Sequence, residues 1–252
     1  MLKKFFKWLL IIVVVLIALL VVIGIAANES LPENGETGAR ADALATKMEK
    51  ALGAEHWEDI QYVQWDFLDM HHYLWDKHRN LVRVKWDELT VFIKPGTSEG
   101  LAFTEGHKHE GENAQTLINK ANDYFNNDMF WLVAPLKTFD PGVTRSIVNY
   151  EGEERLMVNY SSGGSTPGDS YLWKIDDSGI PLSFKMWTKI IPVGGLETTW
   201  EDWHAFGNGV KIAHYREGVG PLKLVMSNVS VGYTMEDMNC ERDPFKALIK
   251  MN

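Results

Sequence analysis

An α+β fold is predicted: a large curved antiparallel sheet, in the form of a half-open barrel, covered by two or three helices and preceded by one N-terminal transmembrane helix. Three features of the 252-residue sequence point there. Residues 8–27, WLLIIVVVLIALLVVIGIAA, form an uncharged apolar run. Two segments of helical period follow early in the chain. From Gly142 onward, short segments of period two alternate with glycine-rich turns.

The elements follow in order. The apolar run has the length that spans a bilayer core, about 20 residues. Lys3, Lys4 and Lys7 precede it and hold the N-terminus on the cytoplasmic side, so residues 1–27 read as an anchor with the rest exported to the periplasm. Secretion after signal cleavage at Ala26 or Ala27 is the alternative. Residues 28–39, NESLPENGETGA, read as a flexible linker, and residues 40–252 as the exported antiparallel-sheet domain. Ala41, Leu44, Ala45, Met48, Ala51 and Leu52 recur at helical spacing up to Gly53. Val63, Trp65, Phe67, Asp69, His71, Tyr73 and Trp75 then alternate along one long strand, followed by strands carrying Val82, Val84 and Trp86 and spanning Leu89 to Ile93. A second helix, from Gly111 to about Asn127, carries Ala114, Leu117, Ile118, Ala121 and Phe125 on one stripe. The run NDMFWLVAPLKTFDPGV comes next and is broken by Pro135 and Pro141. Strands are expected near 144–150, 155–160, 171–176, 182–190, 197–206, 210–215 and 222–231, with a closing helix near 243–250.

Composition narrows the function. The chain is 45% hydrophobic and 12% aromatic, with a formal charge of −9 and its only basic cluster before the apolar run, which argues against a nucleic-acid partner. One cysteine, Cys240, leaves no disulfide framework. No G-x-S-x-G elbow, HExxH zinc pair or phosphate-binding loop occurs, so no enzyme activity, cofactor or metal is expected. Histidines at 71, 72, 78, 107, 109, 204 and 214 carry a weaker alternative, a metal-dependent hydrolase. Adjacent strand residues face opposite ways, which separates His71 from His72; His107 and His109, near Glu105 and Glu110, have chelating spacing.

The segments ALGAEHWEDIQYVQWDF and DDSGIPLSFKMWTK, with the order helix, hairpins, helix, apolar NDMFWLVAPLKTFDPGV and strand meander, resemble the periplasmic lipoprotein carriers and receptors of the LolA/LolB-like half-open barrel superfamily. The resemblance covers roughly residues 40 to 240. It implies an apolar cavity for acyl chains or another greasy ligand, in a protein that is tethered where a soluble shuttle is free. Strand parity, read independently, selects the lining. Trp65, Phe67, Tyr73, Trp75, Trp86, Trp173, Phe184 and Met186 share inward-capable faces, with Phe130 and Trp131 on the segment that closes over them. The expected partners are a lipid, another apolar small molecule or a lipidated protein, together with the cytoplasmic membrane. Core packing accounts for most of the ten tryptophans, and a structural or protein-interaction module with a filled core is the alternative.

Overall fold

The computed structural model describes residues 6–9, 11–15, 24, 26–33, 35–162, 167–207, 209–219 and 222–250. In chain order the elements are β1 (Glu36–Thr37), α1 (Ala39–Ala51), α2 (Ala54–Trp57), β2 (Tyr62–Phe67), β3 (His71–Asp76), β4 (Leu81–Trp86), β5 (Leu89–Ile93), β6 (Gly100–Thr104), β7 (His107–Lys108), α3 (Gly111–Val133), β8 (Val143–Tyr150), β9 (Glu153–Tyr160), β10 (Asp169–Ile175), β11 (Pro181–Trp187), β12 (Leu196–Thr199), β13 (Glu201–Ala205), β14 (Lys211–Val219), β15 (Leu222–Gly232) and α4 (Lys246–Ile249). The expected single sheet is two: six strands ordered β1-β8-β9-β10-β11-β12, and nine ordered β13-β14-β15-β2-β3-β4-β5-β6-β7. Every pairing described is antiparallel, and neither sheet closes on itself.

The division falls at Trp200, inside what the sequence presents as one strand from 197 to 206. Its indole is buried, and its backbone N–H donates to the Leu182 carbonyl at 2.8 Å, which ends the β12 ladder and sends the next residues to β14. Side chains stitch the seam: the Thr198 hydroxyl donates to the Glu217 carbonyl at 3.1 Å, and the Glu217 N–H donates to the Thr199 hydroxyl at 3.0 Å.

The long strand expected from Val63 to Trp75 is the β2–β3 hairpin. Leu68 and Asp69 stand at φ 54° and 53°, the positive pair that a tight hairpin turn of matching twist requires. Because the turn has an even register, Val63 pairs with Trp75, Trp65 with Tyr73 and Phe67 with His71, so the predicted face survives the fold-back.

Helix α3 runs unbroken from 111 to 133, about 35 Å at 1.5 Å per residue, and absorbs the first half of the apolar segment expected to follow a shorter helix. Pro135 ends it: proline has no N–H for the next turn, and residues 134–136 tighten into a 3₁₀ turn. Its buried residues Ile118, Ala121, Phe125, Asp128 and Leu132 repeat at spacings of three and four, one narrow seam. Most of that seam packs on the nine-stranded sheet, while Ala134, Phe130 and Trp131 reach the six-stranded one, which α1 also covers through Ala45 and Met48. Gly53 follows α1 at φ 71°, where a Cβ would stand 2.5 Å from the Gly209 carbonyl oxygen; only glycine fits both the angle and the approach.

The outer faces are covered too. Met238, Phe245 and Leu248 pack on Tyr62, Leu74, Leu81 and Leu101 of the nine-stranded sheet, and Arg79 fixes that cover by pairing with Asp243 at 2.6 Å and with buried Asp76. On the six-stranded sheet, Asn28, Glu29, Glu36 and Thr37, within the expected flexible linker 28–39, lie bound. Glu29 N–H donates to the Gly194 carbonyl, Glu29 carboxylate meets Lys185 at 2.6 Å and accepts from the Tyr150 hydroxyl at 2.6 Å, and β1 pairs with β8. A buried lysine and a phenol needed an acceptor, and Glu29 supplies it.

Of the apolar run 8–27, residues 8, 9, 11–15, 24, 26 and 27 are described, and they are helical. The remainder of the expected anchor lies outside the described residues. Among the described residues no helix is long and apolar enough to cross a membrane.

Phe125 is 3% exposed and meets Trp65, Tyr73 and Trp75. Phe125→Ala is therefore expected to lower unfolding free energy by about 3–5 kcal/mol, read from the shift of the urea midpoint at unchanged slope.

Candidate functional site

The residues that parity selects lie in two aromatic groups beneath α3, and the helix brings them together. On the nine-stranded sheet, Trp65 stacks on Tyr73 with ring centroids 4.3 Å apart, Trp75 meets Phe125 edge-on at 5.4 Å, and Trp86 meets Tyr124 at 5.5 Å. Phe67 closes that end, parallel to His71. On the six-stranded sheet, Phe130 lies 4.8 Å from Tyr171, Trp131 lies 5.6 Å from Phe184, and Trp173 meets Phe184 at 4.9 Å, with Met186 buried beside them. Trp131 touches both groups. The side chains are packed on one another and on α3. The helix fills the space in which a guest was expected.

Two of the hollows among the described residues lie elsewhere. One of about 500 Å³ opens between β6 and the start of α3, lined by Leu101, Ala102, His109, Ala114, Ile118 and Leu248. One of about 320 Å³ lies by Asn28, Glu29 and Trp187. Neither is lined by a residue of the parity-selected set.

One polar cluster holds α3 down. Asp128, 1% exposed, stands in the apolar seam and accepts from the Tyr73 hydroxyl at 2.6 Å, while the same carboxylate oxygen lies 2.7 Å from His71 Nδ1. Asn127 donates to its other oxygen at 2.8 Å. Burial, and then the Asp128 charge, push the Tyr73 phenol far above its ordinary value, so it remains a donor at every physiological pH. His71 also stacks on Tyr124 of the helix at 3.9 Å.

A second polar feature lies in the six-stranded group. Arg216 is fully buried, with its guanidinium 3.9 Å above the Trp200 ring. Nη1 donates to the Ala213 carbonyl at 2.7 Å, but Nε and Nη2 have no partner among the described residues. Burial lowers its pKa to about 9, which still leaves a cation at neutral pH. The indole N–H groups of Trp173 and Trp200 and the hydroxyl of Tyr160 are likewise buried without a partner among the described residues. Trp173 lies 5.3 Å from Trp200, and Tyr160 lies 5.7 Å from Tyr171. The result is an apolar wall with several buried donors that have no partner among the described residues.

The histidines mostly serve structure. His72 pairs with Asp66 on the face opposite His71, and His78 meets the Glu58 carbonyl. His109 engages Thr104 through Nε2 and Asn113 through Nδ1, which leaves no ring nitrogen to share with His107.

Sequence reasoning missed Asp128, Tyr160 and Arg216. Asp128 carried a signal, a charge at a seam position of an otherwise apolar repeat. Arg216 carried a weaker one, in its place opposite inward-facing Leu224.

No family model matches the chain, and no curated protein matches it. Among solved structures it is similar to a DUF1329 family protein from Desulfovibrio piger, at 8% identity and a TM-score of 0.40, over 82% of this chain and 98% of that one. It is also similar to a domain described as an outer membrane lipoprotein-sorting protein from Vibrio parahaemolyticus, at 10% identity and a TM-score of 0.33, over 77% of this chain and 97% of that one. Likeness at that level assigns no function, and the residue roles rest on their own geometry.

Asp128→Ala leaves the Tyr73 hydroxyl buried without an acceptor. The expected loss is about 1–3 kcal/mol, with amide hydrogen exchange accelerated across residues 111–133 ahead of the β2–β5 strands. Uniform acceleration across helix and strands would show that the cluster does not act locally on α3.

Proposed function

We propose that the chain is an exported module, tethered to the cytoplasmic membrane by its apolar N-terminal run, that binds an acyl-bearing amphiphile or lipidated protein between its sheets when α3 lifts. The unpartnered donors of Tyr160, Trp173, Trp200 and Arg216 carry this reading. A buried donor without an acceptor costs about 1–3 kcal/mol, and native interiors hold few of them. An amphiphile with ester, amide or carboxylate oxygens supplies both the apolar surface and the missing acceptors. Trp65, Phe67, Tyr73, Trp75, Trp86, Phe130, Trp131, Trp173, Phe184 and Met186 are its proposed wall. Helix α3 is the lid, and the Asp128 cluster is what holds it shut.

The second reading is a protein-interaction module with a self-filled core, and the close ring packing under α3 favours it. The two differ in what Arg216→Met does. Replacing a buried cation that lacks a counter-ion with an apolar chain of similar length is expected to raise stability by on the order of 1–3 kcal/mol, measured by urea denaturation. Under the proposed function it also weakens binding of a fluorescent fatty acid at least tenfold, while binding of a neutral acyl alcohol changes little.

The direct test uses residues 28–252, since the described contacts of the sheets begin at Asn28. Bound acyl lipid in native mass spectra, or saturable binding of the acyl probes, is the expected result. A folded domain that carries no lipid and binds neither probe would leave the filled-core module as the function.

A further inference from the structure

The hairpin β13–β14 gathers three metal-ligating side chains that the lid, the wall and the outer covers do not use. In its ladder Trp203 pairs with Ala213, and Glu201 with Tyr215, which places Asp202 opposite His214. His204 stands two residues beyond Asp202, so all three converge on one spot of the edge hairpin. One donor atom from each of Asp202, His204 and His214 lies within 4.8 Å of the others, and they are the one such group of three among the described residues. His204 Nε2 is 3.0 Å from Asp202 Oδ1, and the two imidazoles stack with centroids 4.2 Å apart and planes 11° from parallel.

Ordinary surface chemistry explains part of this arrangement. An Asp–His pair in water needs no ion, and stacked imidazoles occur in apoproteins. Two further details point past it. Asp202 stands at φ 56°, in left-handed backbone within the strand. Nε2 of His214 is buried and has no partner among the described residues.

We infer that Asp202, His204 and His214 form a divalent-metal site of the zinc class on the β13–β14 hairpin. Two imidazoles and one carboxylate are a donor set that zinc accepts, with bonds of about 2.0–2.2 Å. Donors at those lengths in a tetrahedron stand roughly 3.3 Å apart. The Asp202–His204 pair already meets this, and the other contacts close by rotation of the exposed Asp202 and His204 side chains toward His214. Three protein donors leave a fourth position for water or for a group on a partner. The site is independent of the amphiphile reading, because none of its residues belongs to the aromatic wall.

The test is isothermal titration of Zn²⁺ into the untagged full chain in detergent, beside visible spectra with Co²⁺. One equivalent of Zn²⁺ is expected to bind saturably, and Co²⁺ to give the intense bands of a four-coordinate site. His214→Ala and His204→Gln should each weaken binding at least tenfold, and Asp202→Asn less, with the metal-free melting temperature unchanged because the three side chains are exposed or half-exposed. Absence of saturable binding would overturn the site. So would binding of wild-type strength in both histidine variants, which would move the metal to another group of the chain.

Discussion

A carboxylate stands where the packing of α3 calls for an apolar side chain. Every other residue on that seam, from Ile118 to Leu132, drives the helix onto the sheet by removing hydrocarbon from water, an attraction without direction. Asp128 adds direction. Two of its donors, Tyr73 and His71, belong to the same strand, so the helix is set against β3 in one rotation and one axial position. The aromatic stacks on either side, Trp65 on Tyr73 and His71 on Tyr124, depend on that setting. A buried carboxylate is tolerable only while its acceptor sites are used. The contact is therefore all-or-none: firm when made, and costly to leave half-made.

Both aromatic groups hold indole N–H donors without a partner among the described residues, Trp65 and Trp75 in one and Trp173 and Trp200 in the other, but their charged groups differ. Under the nine-stranded sheet the charged group has its partners. Beside Trp200 the charged group has one, and its neighbouring donors have none among the described residues. The sheets are joined there by hydroxyl-to-backbone bonds in place of a continuous ladder. The under-paired guanidinium and the seam between the sheets thus lie together, on the side of the molecule reached by the end of α3. Local stability varies across a fold, and segments that must move are drawn from its less secure end.

Much of this was readable in the residues. Period-two alternation located most strands, and the faces bearing Trp65, Tyr73, Trp173 and Phe184 point as parity indicates, because side-chain direction depends on local backbone alone. What alternation does not record is where a strand turns back. Leu68-Asp69 makes a tight turn without glycine or asparagine, and an even register leaves the pattern unbroken through it. Trp200 hides the exchange between sheets for a similar reason, since β12 and β13 both read as strand. The β6–β7 hairpin was overlooked because Gly100 to Thr104 is short and lies between turn signals. The bonds of Glu29 were illegible in principle, because Tyr150 and Lys185 lie far away along the chain.

The position of Asn28 and Glu29 governs how the sheets are carried. A flexible tether of twelve residues would let a tethered body wander about 20 Å from its fixing point. Here the first residues past the apolar run are already fastened to Gly194, Lys185, Tyr150 and Trp187. For a chain whose apolar run sits in a bilayer, the leash has almost no slack. One end of the molecule would then keep a constant heading toward the lipid, and anything exchanged with the bilayer would arrive at that end.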